Sequence, residues 1–92
     1  AAAGRRNGRR PGEGRRLSAA VHDLVSALAR DSASRLVASL ARRLGAGRIA
    51  VAEDAVQHAL LQALSRWPFK GVPTNPEAWL ATVAKNQALD LL

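Results

Sequence analysis

The 92-residue chain has no cysteine, which excludes a disulfide framework and any thiolate metal site. Its two histidines, His22 and His58, stand too far apart in sequence for a local two-His ligand motif. No run of about 18 apolar residues occurs, so no transmembrane helix is expected, and the N-terminal arginines precede no continuous apolar stretch of the kind a secretory leader carries. Acid–base carboxylate pairs, a nucleophile–base set and a glycine-rich phosphate loop are also missing; Glu53 and Asp54 are adjacent and point in different directions on a helix. A chain this short makes one small domain that buries only about 60% of the surface its unfolded form exposes, leaving little stability for strained site architecture. These absences lead to the expectation of a soluble, cytoplasmic binding module that is not an enzyme and uses neither cofactor nor metal.

What is abundant is positive charge, and it is unevenly spread. The formal net charge is +7, with six Arg against the single Glu13 in residues 1–16, leaving eight Lys/Arg against six Asp/Glu in the remainder. Residues 1–16 contain almost no large apolar side chain, so they cannot offset the entropy of ordering themselves and are expected to form a disordered tail. Such an arm is drawn to phosphate with an affinity that falls as salt rises, or else serves as an inert solubilising leader.

Residues 17–92 form the expected folded part. Ala, Leu, Val and Arg dominate it and no alternating run reads as a strand, which predicts an all-α fold, a compact three- or four-helix bundle. Val21, Leu24, Val25 and Leu28, then Leu36, Val37, Leu40 and Leu44, are two runs at helical spacing. Asp31, Ser32 and Ser34 between them offer capping side chains, so this is either two helices or one bent helix. Gly45 and Gly47 end the segment. The next helix is expected from about Ile49 to about Trp67, with Ala52, Val56, Ala59, Leu60, Ala63, Leu64 and Trp67 on its core face. Its opposite side gathers Asp54, Gln57, His58 and Ser65 around Leu61. That is either ordinary solvated surface or an apolar anchor ringed by polar groups that fix a partner's register.

A Pro/Gly-rich connector is expected over residues 68–75, with Pro68 and Gly71 stopping one helix and Asn75–Pro76 starting the next. From Pro76 to Leu92, Leu80, Val83, Ala84, Ala88 and Leu91 share an apolar arc into which Gln87 intrudes, while Thr82, Lys85 and Asn86 cluster opposite. Aromatic residues in and beside the connector would give stacking surface for unpaired bases, Lys85 would meet phosphate, and Asn86 or Thr82 a base edge or sugar.

The segments AEDAVQHALLQAL, RWPFKGVPTNPEAWL and TVAKNQALDLL, in that order and spacing, resemble region 2 of the extracytoplasmic-function (ECF) sigma factors of bacterial RNA polymerase. The likeness covers roughly residues 31–92, and GVPTNPEAWL is particularly similar to subgroups that carry a C-terminal helical extension. The resemblance implies that the helix over residues 52–67 docks on the coiled coil of the polymerase β′ subunit through Asp54, Gln57 and Leu61, with Glu53 at the rim. It also implies that the segment matching residues 68–75, with Phe69, Lys70 and Asn75, captures a flipped base of the promoter −10 element on the non-template strand. The following helix would border the melted segment with Trp79, Thr82, Lys85 and Asn86. A paired, stacked base cannot be enclosed by a pocket, whereas a displaced one can. An anti-sigma factor remains open as a further partner, and no membrane is involved.

Departures from the family pattern carry their own expectations. Trp79 is followed by Leu80 where primary sigma factors present a Trp pair, which fits stringent promoter use. His58 stands where an acidic residue is common, the usual basic pair after the DLL-like ending is absent, and no −35-binding helix-turn-helix follows within these residues. Weak DNA affinity in isolation is therefore expected. Two other readings stay open: a general basic helical DNA-binding protein without a polymerase role, and a purely protein-binding helical module.

Overall fold

The computed structural model describes residues 13–92, which form four helices: α1 (Glu13–Asp31), α2 (Ala33–Leu44), α3 (Ile49–Lys70) and α4 (Pro76–Leu91). The all-α expectation holds over this range. Most of the expected N-terminal tail lies outside the described residues, but its last four residues belong to α1, which begins at Glu13 rather than at Leu17.

The α1–α2 segment is two helices that meet at Ser32. The amide of Ser32 donates to the Leu28 carbonyl at 2.8 Å and its own carbonyl accepts from Leu36 N at 3.0 Å, so hydrogen bonding continues through the joint. The direction changes because Ser32 sits at φ −121°, well away from the helical value near −63°. Ser32 makes no side-chain cap. Instead its hydroxyl, almost fully buried, donates to Glu77 Oε2 in the first turn of α4. Arg35 Nη2 donates to the same carboxylate oxygen at 3.0 Å and to Ser32 Oγ at 3.3 Å, so a three-residue polar clasp joins the start of α2 to the start of α4.

Gly45 closes α2 at φ +101°, its amide donating to the Ala41 carbonyl at 3.0 Å. At the other end of α3 the expected stop at Pro68 does not occur. Pro68 has no amide to donate to the Leu64 carbonyl, which costs α3 one hydrogen bond, but its fixed φ near −65° is itself helical and the chain keeps the helical path beyond it. The helix runs on to Lys70, and the reversal comes at Gly71, whose φ of +92° lies in the region that favours glycine and whose amide donates to the Trp67 carbonyl at 2.9 Å. Phe69 and Lys70, expected on the connector, therefore stand on the last turn of α3. The Asn75–Pro76 start of α4 is as the sequence predicts: Asn75 Oδ1 accepts from Ala78 N at 3.1 Å and Pro76 takes the first helical position.

α3 is the central element and packs against each of the other three helices. Its core face is Ala52, Ala55, Val56, Ala59, Leu60, Ala63 and Trp67, with Leu64 partly buried against the cluster. Ala55 joins this set from outside the predicted arc, because three neighbours enclose a wider sector of α3 than one amphipathic stripe. Leu80, Ala84 and Ala88 of α4, Val21 and Val25 of α1 and Leu40 of α2 complete the core. Leu80 and Val56, the largest fully buried side chains, each contribute about 1.5–3 kcal/mol. Leu91 does not reach the core and is half exposed at the end of α4, while Gln87 lies half-buried within its apolar arc. Trp67 meets Trp79 edge-to-face, with ring centroids 5.3 Å apart at 66°, an arrangement worth about 0.5–1.5 kcal/mol beyond burial. The Trp67 indole N–H is buried with no acceptor among the described residues.

That orphaned donor makes Trp67 a discriminating position. Trp67→Ala is expected to cost about 3–5 kcal/mol, most of the margin of a domain this size. Trp67→Phe keeps a ring against Trp79 and removes the unpartnered N–H, so its cost stays below about 1.5 kcal/mol. Urea unfolding followed by circular dichroism reads both, and equal losses would show that the indole's second ring, rather than the aromatic contact, holds the site together.

Candidate functional site

Two surfaces carry the residues that the sequence singles out. The first is the side of α3 turned away from the core. At 100° per residue, Glu53, Asp54, Gln57 and Leu61 fall within one sector of about 100°, opposite the buried alanines. All four are exposed, Leu61 by 60%, and His58 beside them is half-buried. From Asp54 to Leu61 the strip runs about 10 Å along the axis. Among the described residues the only ion pair is Arg35–Glu77, so Glu53 and Asp54 keep unneutralised charge next to an apolar side chain with no partner. Glu53 and Gln57 also line a groove of about 350 Å³ between α2 and α3, walled by Val37 and Ile49. The strip can accept hydrogen bonds, attract cations and bury one leucine.

The second surface spans the end of α3, the connector Gly71–Asn75 and the outer side of α4. Phe69 is 77% exposed, a large aromatic face held on a helical turn, with Lys70 exposed beside it. Both border an apolar groove of about 480 Å³ between the start of α1 and the end of α3, which Leu17, Leu24 and Trp67 also line. Asn75 is exposed; its side-chain oxygen accepts the capping bond of α4, and its two amide N–H donors have no partner among the described residues and are free for a ligand. Trp79 is half-buried and packs edge-to-face with Trp67. The Thr82 hydroxyl donates to the Ala78 carbonyl at 3.0 Å, so it has lone pairs but no proton to give. Lys85 and Asn86 are exposed.

The structure thus sorts the seven candidate residues of this surface rather than gathering them into one pocket. Phe69 and Lys70 belong to the α1–α3 groove, Asn75 and Trp79 to the connector end of α4, and Thr82 and Lys85 to a cleft between α4 and α2. Asn86 lies on the Trp79 edge of the helix, about 20° from it in projection. Sequence reasoning passes over Arg43 and Ser39 of α2, which line that cleft across from Thr82 and Lys85. The doublet Arg42–Arg43 at the end of an amphipathic helix is a signal for them, although helical periodicity alone assigns it to solvent. Leu80, the neighbour of Trp79, has no exposed surface and is a core residue.

Residues 17–92 match the family model described as Sigma-70 region 2. Over 40 residues the chain is 45% identical to an uncharacterized protein of Rhizobium meliloti (strain 1021), a stretch that makes up 44% of this chain and 10% of that protein. The chain therefore corresponds to a small part of that curated relative's length. No solved structure matches it.

The capping role of Asn75 can be separated from a ligand-binding one. Asp caps as well as Asn and suits the positive end of the helix, but it has no amide donors and repels phosphate. Asn75→Asp is expected to leave the thermal midpoint unchanged or higher while weakening binding to single-stranded DNA, whereas Asn75→Ala loses about 1 kcal/mol of stability. Undiminished binding by Asn75→Asp in an anisotropy titration would restrict this residue to its helix cap.

Proposed function

Because the chain belongs to the sigma-70 region 2 family, a domain that serves transcription initiation by binding core RNA polymerase and recognising the promoter −10 element, we propose that it is the region 2 domain of an ECF-type sigma factor, with its two surfaces divided between these tasks. The outer strip of α3 docks on the coiled coil of the β′ subunit through Asp54, Gln57 and Leu61, with Glu53 at the rim. The end of α3, the connector and α4 take the non-template strand of the −10 element: Phe69 stacks on an extruded base, Lys70 and Lys85 meet phosphate, and Asn75, Trp79, Thr82 and Asn86 border the strand. An anti-sigma factor would compete for the same surfaces.

The observation that carries the docking half is Leu61. Among the large apolar residues in the middle of α3 it alone points outward, 60% exposed, with Gln57 one turn away and the carboxylates of Asp54 and Glu53, without ion-pair partners among the described residues, about two turns away. A lone leucine in that setting gains most from a partner that removes it from water, and the polar ring sets its register. The strand-binding half rests on Phe69, whose face is nearly free, and on the absence of any carboxylate beside Lys85 in its cleft. Stacking on such an aromatic is worth about 1–3 kcal/mol per base and tolerates any sequence. The ECF assignment is supported by the fully buried Leu80: with no second exposed Trp, strand separation relies on capture of one displaced base rather than on an aromatic wedge. Among the described residues no helix is long and apolar enough to cross a membrane.

Leu61→Asp is expected to weaken retention on core RNA polymerase at least about 30-fold, as loss of about 2 kcal/mol at a hot spot does, with helical content unchanged because the residue is exposed. Lys85→Ala and Asn86→Ala are expected to reduce promoter opening in a permanganate footprint without altering that retention. Retention indifferent to Leu61→Asp, together with DNA binding that ignores −10 sequences, would instead make this a general basic DNA-binding protein.

A further inference from the structure

Arg43 has no place in the division of labour above. It stands in the last turn of α2, where a cation favours the helix dipole, but Arg42 next to it meets that need equally well. What distinguishes Arg43 is the cleft of about 290 Å³ between α2 and α4, which it lines together with Ser39, Thr82 and Lys85. The cleft's buried lining is Leu40 and Ala84, the exposed Ala78 and Ala81 are small enough to leave it open, and no carboxylate lines it. Arg35 and Glu77 form the ion pair that joins the starts of the two helices. Arg43 and Lys85 each lie eight residues beyond the member of that pair on their own helix, about 12 Å along it. Two uncommitted cations thus occupy matching positions on opposite walls.

The geometry points to this cleft as a seat for the sugar–phosphate backbone of the unpaired promoter strand, with Arg43 and Lys85 straddling it from two helices. The inference rests on the reading of α4 as a DNA-bordering helix and extends the contact surface to α2. Guanidinium and ammonium groups on facing walls neutralise successive phosphates. A volume of about 290 Å³ holds a short piece of one strand and not a duplex. The lining offers apolar side chains and the Thr82 oxygen, not a set of base-edge donors, so the contact adds affinity and fixes the path of the strand without reading sequence.

The test uses the full 92-residue chain and a fluorescein-labelled oligo-dT strand, with binding constants measured by anisotropy across a salt series. Arg43→Ala and Lys85→Ala are each expected to reduce the slope of log K against log salt by about 0.7, the value for one phosphate on a single strand. The same loss is expected on a mixed-sequence strand, and no loss on a strand with neutral methylphosphonate linkages. Arg42→Ala removes the same charge from the same turn outside the cleft and is expected to have a smaller effect on the slope; circular dichroism checks that each variant keeps its helices. If Arg43→Ala matches Arg42→Ala while Lys85→Ala still lowers the slope, the cleft inference fails and the α4 reading stands. If neither Arg43→Ala nor Lys85→Ala changes the slope, both fail. Displacement of the strand by polyglutamate at lower charge concentration than by unlabelled oligo-dT would overturn it as well, assigning the cleft to an acidic peptide.

Discussion

The fold depends on one helix being shared by three others. Ala52, Ala55, Ala59 and Ala63 of α3 have no exposed surface, and side chains this small set how closely neighbouring helices approach. Val56, Leu60 and Trp67 fill the space between the alanines, and α1, α2 and α4 close around them. A helix enclosed over so wide a sector has only a narrow strip left for solvent. In the middle of α3 that strip is Glu53, Asp54, Gln57 and Leu61.

The same arrangement separates the electrostatics. The acidic strip on α3 and the cations Lys70, Lys85 and Arg43 lie on different elements or at different ends, and the one ion pair among the described residues is spent on holding α2 to α4. Few charges in the folded part cancel one another. That suits a domain with two partners of opposite demand, a protein surface and a polyanion, because neither face neutralises the other. The mild positive excess of the folded part is enough for a few phosphate contacts, and the arginines of residues 1–12 add a reach of positive charge beyond them.

Much of this was legible in the sequence. The apolar face of α3 follows from helical periodicity, and the start of α4 from Asn75–Pro76, because both signals are local and agree with the tertiary packing. The end of α3 is set by Gly71, where φ turns positive, and not by Pro68, which α3 passes at the loss of one hydrogen bond. Ser32 was read as a candidate cap, yet its hydroxyl answers to Glu77, a partner distant in sequence that no local pattern reveals. Phe69 and Lys70 shifted from connector to helix for the same reason as Pro68. Arg43 escaped notice because its cleft exists only once α2 and α4 lie side by side.

The clasp of Ser32, Arg35 and Glu77 has a mechanical corollary. It fastens two helices at their first turns and leaves their far ends, at Gly45 and Leu91, without a comparable fastening among the described residues. Beyond the clasp, the spacing of α2 and α4 is set by the apolar side chains each lays into the common core, Leu40 from one and Ala84 and Ala88 from the other, and α3 acts as the spacer between them.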